Sequence, residues 1–420
     1  MDKLKLQIKS IYKKGFIHLV VANYSIQIIV FAAHLLIAGI MSPYYVGVIK
    51  TIETYINIGT VLGSGGMIFA ILKVVPMIRD EEKRRNIFLF GLRYISLFSV
   101  VLFLIFELLG WKNLISRDVY INFWFRRYVF LLIFAVALQY IIRYYQALQA
   151  FKKISVLIMI SKLFSFILVL TATYYFHIAG YVYAMIGTTA VTVLFLLYDL
   201  HVSILQKTVF LAQKLKKELL KLSYQAFFAQ IVDQIRLWGT YLLANFMIVD
   251  RALFGQYSFA VILVQGLNIL STSIQQFVIP NLSSRQTDIV SFKRFLKQAE
   301  VKYVMFTTIV FILAEVFFPF LVQLIFGDKY VGAMTLLRIL LAGWYLSTFF
   351  ALKGTVFLSL GKMNYISLIS GILIVIILPT AYFLGKKWGV YGIAGAYVIQ
   401  QMLNGGLLQM SIKKVFKSLT

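Results

Sequence analysis

Lys50, Glu53, Asn57, Thr60 and Ser64 recur at steps of three and four inside an otherwise apolar run. That spacing puts all five on one face of a helix. The face carries a cation and a carboxylate one turn apart, then an amide and two hydroxyls. These groups suit a charged or strongly polar solute. Each charge costs roughly 2.5–3.5 kcal/mol at the centre of a bilayer. A helix bathed in lipid on every side would not carry them, so this face turns to a partner or to water.

Further charges interrupt other apolar runs: Arg93, Glu107, Arg143, Lys162, Asp233, Arg236, Glu315, Arg338 and Lys353. The set is biased to cations. Lys50, Lys162, Arg236 and Arg338 lie deep, and Arg143 is shallower. A cavity with surplus cations attracts an anionic cargo. Arginine grips phosphate in a two-pronged fork and lysine acts as a point charge. Asp233 and Arg236 stand at the i,i+3 spacing of a salt bridge. Glu315, among Phe and Val, reads as a lone buried carboxyl or as a functional acid.

The elements that hold these residues are membrane helices. The chain of 420 residues is 61% hydrophobic and 13% charged, which decides for an integral membrane protein. It has no cysteine, and its four histidines show no metal-ligand spacing, so no metal site is expected. The net charge of +26 sits mostly between the apolar runs. It reads as loops beside anionic lipid, with no nucleic-acid partner. No cleavable signal is apparent, because the first apolar run is long enough to span.

About twelve spans are expected, approximately residues 16–40, 46–72, 87–109, 123–148, 154–176 and 178–200, then 224–249, 253–282, 303–326, 331–358, 365–384 and 390–410. With the N-terminus inside, about 26 basic residues fall in inside loops and about 8 in outside loops. Both termini are therefore expected in the cytoplasm. The expected organisation is an N-terminal six-helix bundle (1–200), a basic amphipathic linker on the inner leaflet (201–222) and a C-terminal six-helix bundle (223–420).

The halves echo each other. Tyr44-Tyr45-Val46-Gly47 opens the second span and Ala252-Leu253-Phe254-Gly255 the eighth. The same offset sets Asn57 on Gln265, Thr60 on Asn268 and Ser64 on Thr272, and Gln275 extends the second stripe. Gly180 and Gly392 form a further pair, each just inside the last span of its half. Two parallel halves of six spans usually meet at a central cavity. The two polar stripes would line it. A cationic pore for small anions fits the charge, but two halves fit alternating access better. The longest outside loop, about Gly110 to Asn122, is short and lacks an acid/base pair, so no enzyme is read.

With these marks the chain resembles the multidrug/oligosaccharidyl-lipid/polysaccharide exporter superfamily, and within it the Wzx-type polysaccharide flippases. The resemblance rests on Tyr45-Val46-Gly47, Phe254-Gly255-Gln256-Tyr257, the Asp233-containing seventh span, Phe326-Gly327-Asp328-Lys329-Tyr330 and Gly389-Val390-Tyr391-Gly392-Ile393-Ala394-Gly395, in that order. It covers nearly the whole chain. It implies an all-α membrane protein of two six-helix bundles around a central cationic cavity. The implied cargo is an undecaprenyl-diphosphate-linked oligosaccharide, moved from the inner to the outer leaflet of the bacterial cytoplasmic membrane for O-antigen, capsule or exopolysaccharide synthesis.

On that reading Lys50, Lys162, Arg236 and Arg338, with Arg143, attract the diphosphate or acidic sugars. Glu53, Asp233 and Glu315 are the candidates for coupling to H+ or Na+, and no other cofactor is implied. A polysaccharide polymerase and a chain-length regulator are the implied partners, and a monomer is the expected state. Two alternatives stay open within the superfamily. A lipid II flippase would usually carry two further spans, whereas this chain ends at Thr420 after the twelfth. A cation-coupled multidrug exporter would favour carboxylates in its cavity, opposite to the bias here.

Overall fold

Aspartate starts four of the helices. Asp80 accepts hydrogen bonds from the N–H groups of Glu82 and Lys83, Asp118 from that of Tyr120, Asp250 from those of Ala252 and Leu253, and Asp288 from those of Val290 and Ser291. Each cap satisfies backbone donors that the first turn leaves free, and each negative charge faces the positive end of the helix. The chain has only 15 acidic residues. Spending four as caps leaves few carboxylates to account for inside the bundles.

The computed structural model describes residues 16–200, 211–286, 288–362 and 364–417. Among these, all regular structure is helical. In chain order the α-helices are α1 (Phe16–Ile40), α2 (Pro43–Gly63), α3 (Met67–Val74), α4 (Glu81–Trp111), α5 (Val119–Tyr128), α6 (Leu131–Ala147), α7 (Phe151–Asp199), α8 (Gln213–Met247), α9 (Arg251–Ser283), α10 (Ile289–Phe326), α11 (Val331–Thr348), α12 (Ala351–Ser359) and α13 (Asn364–Lys417). Among the described residues five helical stretches are long and apolar enough to cross a membrane. The number is seven if α2 with the helix after it, bent by 48°, and α5 with α6, bent by 47°, each count as one broken span. The protein is a multi-pass membrane protein. The first half of the expected amphipathic linker, residues 201–210, lies outside the described residues. The second half is not a separate element, because α8 runs unbroken from Gln213 to Met247.

The chain divides into two compact units. One takes in the described residues of Met1–Ile40 and Ile49–Ile231, and the other Met41–Val48 and Val232–Thr420. The first has fully buried aromatics at Phe88, Phe125, Tyr128, Tyr140, Tyr145 and Tyr181. In the second, Trp344, Phe254, Phe259, Phe292, Tyr330 and Phe357 do the same. Across their outer surfaces Leu, Ile, Val and Phe stay exposed in number, on α4, on α10 and on both limbs of α7. In water such a surface would aggregate, whereas in lipid it needs no cover.

The two longest helices double back. In α7 a single residue, His177, leaves the helical region (φ 52°, ψ −132°), and in α13 Gly389 does so (φ 58°, ψ −137°). Three residues later stand Gly180 and Gly392. A Cβ on Gly180 would lie 1.9 Å from the Ala172 carbonyl oxygen, and one on Gly392 2.0 Å from that of Leu384. Eight residues of straight helix would separate those positions by about 12 Å, so the limbs fold sharply against each other. The same turn is thus built twice, with glycine at its strained position in one copy and histidine in the other.

That difference gives a prediction. A non-glycine residue in this region costs on the order of 1–3 kcal/mol, and His177 is exposed, so its side chain contributes little packing. Glycine loses about 0.5–1 kcal/mol through the unfolded state. His177→Gly is therefore expected to raise stability by about 1 kcal/mol, read as a higher melting temperature of the detergent-solubilised protein by size-exclusion after heating. A lower value would mean that the imidazole makes a contact the turn needs.

Candidate functional site

Glu53 sits at the middle of α2, in a network of side chains from three helices. Its partner is not on its own helix. His34 of α1 brings Nε2 to 3.1 Å from Oε1 and 3.0 Å from Oε2, and its Nδ1 lies 2.7 Å from the Val30 carbonyl oxygen. The Tyr181 hydroxyl, on the second limb of α7, donates to Glu53 Oε1. The Tyr128 hydroxyl stands 3.5 Å from that of Tyr181. Lys50 is buried one turn before Glu53 on α2. The side chains of His34 and Glu53 are 19% and 11% exposed, so the pair is largely withdrawn from solvent.

The stripe that continues along α2 divides. Asn57 is exposed, but Thr60 and Ser64 are buried and give their hydroxyls to the Ile56 and Val61 carbonyls of their own helix. On α9, Thr272 is exposed and donates to Ile269, while Gln265, Asn268 and Gln275 are half-buried.

In the second unit, Asp233 and Arg236 form the ion pair that their spacing suggests, with Nη2 at 2.7 Å from Oδ1 and Nε at 3.2 Å from the same oxygen. Gln400 of α13 donates to the Arg236 carbonyl at 3.1 Å. Arg236, Thr240, Leu373, Ile377 and Gln400 line a small cleft there. Glu315 is not alone: Arg338 Nε lies 3.8 Å from it, on a side chain 66% exposed. Lys353 lies 3.9 Å from Glu300. In the first unit Arg143 donates to Gln146 at 3.0 Å, Arg126 to Glu107 at 2.6 Å, and Lys153 pairs with Asp199 at 2.7 Å.

Each carboxylate on the long helices named above thus has a basic partner. Among the described residues Lys162 has no partner. It is half-buried on the first limb of α7, and among the described residues it makes no ion pair and no hydrogen bond. It lies eleven residues into the limb, about 16 Å along the axis, beside the exposed apolar Leu163 and Phe164. Ser165, on its face, is taken up by the Thr188 hydroxyl at 3.0 Å. Among the described residues no three His, Asp or Glu side chains gather to hold a metal ion.

The family model described as "Polysaccharide biosynthesis protein" matches residues 12–286, a region that holds the Glu53 network, Lys162 and the Asp233–Arg236 pair. The chain belongs to this family. A curated Shigella flexneri protein, named provisionally as an O-antigen transporter, is 24% identical over 241 residues. The match takes in 57% of this chain and 56% of that protein, so the chain spans little more than half the length of the relative.

Solved structures give the fold. The inward closed form of the lipid II flippase MurJ superposes with a TM-score of 0.76 at 17% identity, over 94% of this chain and 87% of that one. An inward-facing MATE multidrug transporter of the MOP superfamily gives 0.74 at 14% identity, over 94% and 96%. A MOP superfamily transporter from Pyrococcus furiosus, described as having a binding pocket of reverse polarity, gives 0.61 at 14% identity, over 97% and 95%. The family member therefore has the MOP transporter fold, in agreement with the all-helical, two-lobed architecture expected from its sequence.

His34 is the functional residue that sequence reasoning missed. In the sequence the four histidines show only that they lack metal-ligand spacing, which says nothing of a carboxylate partner. A histidine set well inside a 25-residue apolar helix is itself the available signal, since an ionisable group at that depth needs a partner.

Proposed function

We propose that this protein is a transporter that flips an undecaprenyl-diphosphate-linked oligosaccharide repeat unit from the cytoplasmic to the outer leaflet of the bacterial cytoplasmic membrane, by alternating access. Both termini face the cytoplasm on this reading, and the product feeds a surface polysaccharide through a polymerase and a chain-length regulator. The observation that carries it is Lys162, a cation at membrane depth with no carboxylate beside it among the described residues. A charge so placed is stable when the counter-charge comes from outside the protein, and a diphosphate supplies it. Lys50, Arg236, Arg338 and Arg143 extend the cationic set, although Arg236 and Arg338 must first loosen from Asp233 and Glu315 to reach a cargo. Transport is coupled to an ion gradient through Glu53, with Asp233 and Glu315 as further candidates.

The test is deletion in the native host with labelling of lipid-linked sugars. The repeat unit should be retained on the cytoplasmic leaflet and surface polymer should fall by more than tenfold. Undiminished polymer with no retained repeat unit overturns the reading. A second reading, lipid II as the cargo, is favoured by the fold shared with the lipid II flippase. Under it the retained species would be lipid II and the cells would lyse.

A further inference from the structure

The hydrogen bonds around His34 fix a proton count. A backbone carbonyl only accepts, so His34 Nδ1, 2.7 Å from the Val30 oxygen, carries hydrogen. His34 Nε2 stands 3.0 and 3.1 Å from the two oxygens of Glu53. If the carboxylate is ionised it also only accepts, and Nε2 must carry hydrogen too. If Nε2 is bare, the hydrogen must sit on Glu53. In either arrangement the contact holds one proton more than a neutral imidazole beside a carboxylate.

We propose that the His34–Glu53 contact is a one-proton binding site, and that the proton held there links α1 to α2. The proposal rests on the ion-coupled transport reading above and names the ion. Among the described residues the charged and titratable groups facing the pair are Lys50 on α2, Tyr181 on the second limb of α7 and Tyr128 at the end of α5. Tyr181 already gives its hydrogen to Glu53, so it does not replace the missing donor. When the shared proton leaves for water, His34 keeps its Nδ1 hydrogen on Val30. Its Nε2 lone pair then confronts a carboxylate, and the two must part. Lys50 remains to balance the charge of Glu53.

A sodium ion fits the geometry poorly. Whichever partner carries the shared hydrogen, it lies between His34 and Glu53, and the Tyr181 O–H points at Glu53 Oε1, so a sodium ion there would have to displace a donor.

The test uses the full-length protein in lipid nanodiscs with carbon-13-labelled histidine. The four histidines are distinguished by substitution, with His34→Gln marking the resonance of interest. In wild type His34 should lose its proton in a single step, and Glu53→Gln should move that step by at least one pH unit, a tenfold change in proton affinity. Replacing potassium chloride with sodium chloride should leave it unmoved. A step unchanged by Glu53→Gln, or displaced by sodium, overturns the proposal.

In parallel, proteoliposomes are given a polyprenyl-diphosphate-linked disaccharide and an imposed pH gradient. Wild type should flip the probe, and His34→Gln and Glu53→Gln should do so at least tenfold more slowly. Flipping driven by sodium alone, with both variants at wild-type rate, overturns the proton site and leaves the transporter reading standing. If wild type fails to move the probe under any gradient, the transport reading fails, and the histidine titration still decides whether the pair binds a proton.

Discussion

Lys162→Glu is expected to abolish surface polymer in a deletion strain carrying the variant, while Lys162→Arg retains most of it and Lys162→Gln loses about tenfold or more. A charge-assisted hydrogen bond contributes about 1.5–3 kcal/mol, and each 1.4 kcal/mol is a factor of ten. Removing the ammonium therefore costs about one to two decades in cargo affinity. Reversing the charge does more, because a carboxylate there repels a diphosphate and brings its own desolvation cost.

The cationic bias comes from how the carboxylates within each unit are used. Glu53, Glu107, Asp199, Asp233, Glu300 and Glu315 are each matched by His34, Arg126, Lys153, Arg236, Lys353 and Arg338. Removing a cation from any of those pairs strands a carboxylate, so a loss of transport there mixes folding with function. Lys162 has no such pair among the described residues, so Lys162→Gln reports on the cargo alone. The measurement is the rate of flipping of a polyprenyl-diphosphate-linked probe in proteoliposomes, beside the amount of folded protein. Wild-type flipping in Lys162→Glu would assign the ammonium to the lipid interface and move the cargo site elsewhere.

What could be read in advance divides along a physical line. Pairs within one helix were legible, because helical geometry converts spacing directly into contact. Asp233 and Arg236, three apart, meet as expected. Pairs between helices were not legible. His34 and Glu53 are 19 residues apart and Tyr181 is 128 from Glu53, and nothing in a hydrophobic pattern says which helix a polar face will meet. In the sequence the nearest opposite charge to Glu53 is Lys50, one turn away, whereas the structure sets His34 of another helix against its carboxylate.

The glycine and aromatic marks of the family resemblance prove to be packing and turn positions. Gly47 and Gly255 approach so closely, within the second unit, that a Cβ on Gly255 would stand 2.0 Å from the Pro43 carbonyl oxygen. Gln256 donates to the Lys329 carbonyl at 2.9 Å, and Tyr330 stacks on Phe259 with ring centres 3.9 Å apart. Gly327 and Gly389 both take positive φ at turns. Such residues are constrained by backbone geometry, which any cargo leaves unchanged, so they identify the architecture and say nothing of the substrate.

Gly66→Ala is expected to remove most of the folded protein. Gly66 joins α2 to α3 in the left-handed conformation, φ 76° and ψ −3°, which costs an alanine on the order of 1 kcal/mol or more. Space is the larger problem. A Cβ on Gly66 would lie 2.0 Å from the Ser223 carbonyl oxygen and 2.9 Å from the Phe227 nitrogen, both backbone atoms of α8. A flexible side chain could swing away, but a helix backbone moves only by shifting the helix. Ser223 is fully buried and bonded to Leu219, and Ser64 accepts from the Gly66 N–H at 3.3 Å, so neither side has slack. Overpacking of this kind costs about 1–3 kcal/mol. Together with the backbone term it consumes much of a stability of about 5–15 kcal/mol. The control is Gly371→Ala on the first limb of α13, where a Cβ meets nothing within 4 Å. A helical glycine in open space gains about 0.5–1 kcal/mol on becoming alanine. The two variants should therefore move melting temperature and folded yield in opposite directions, and a Gly66→Ala protein as stable as wild type would mean that α3 and α8 are not held at this distance.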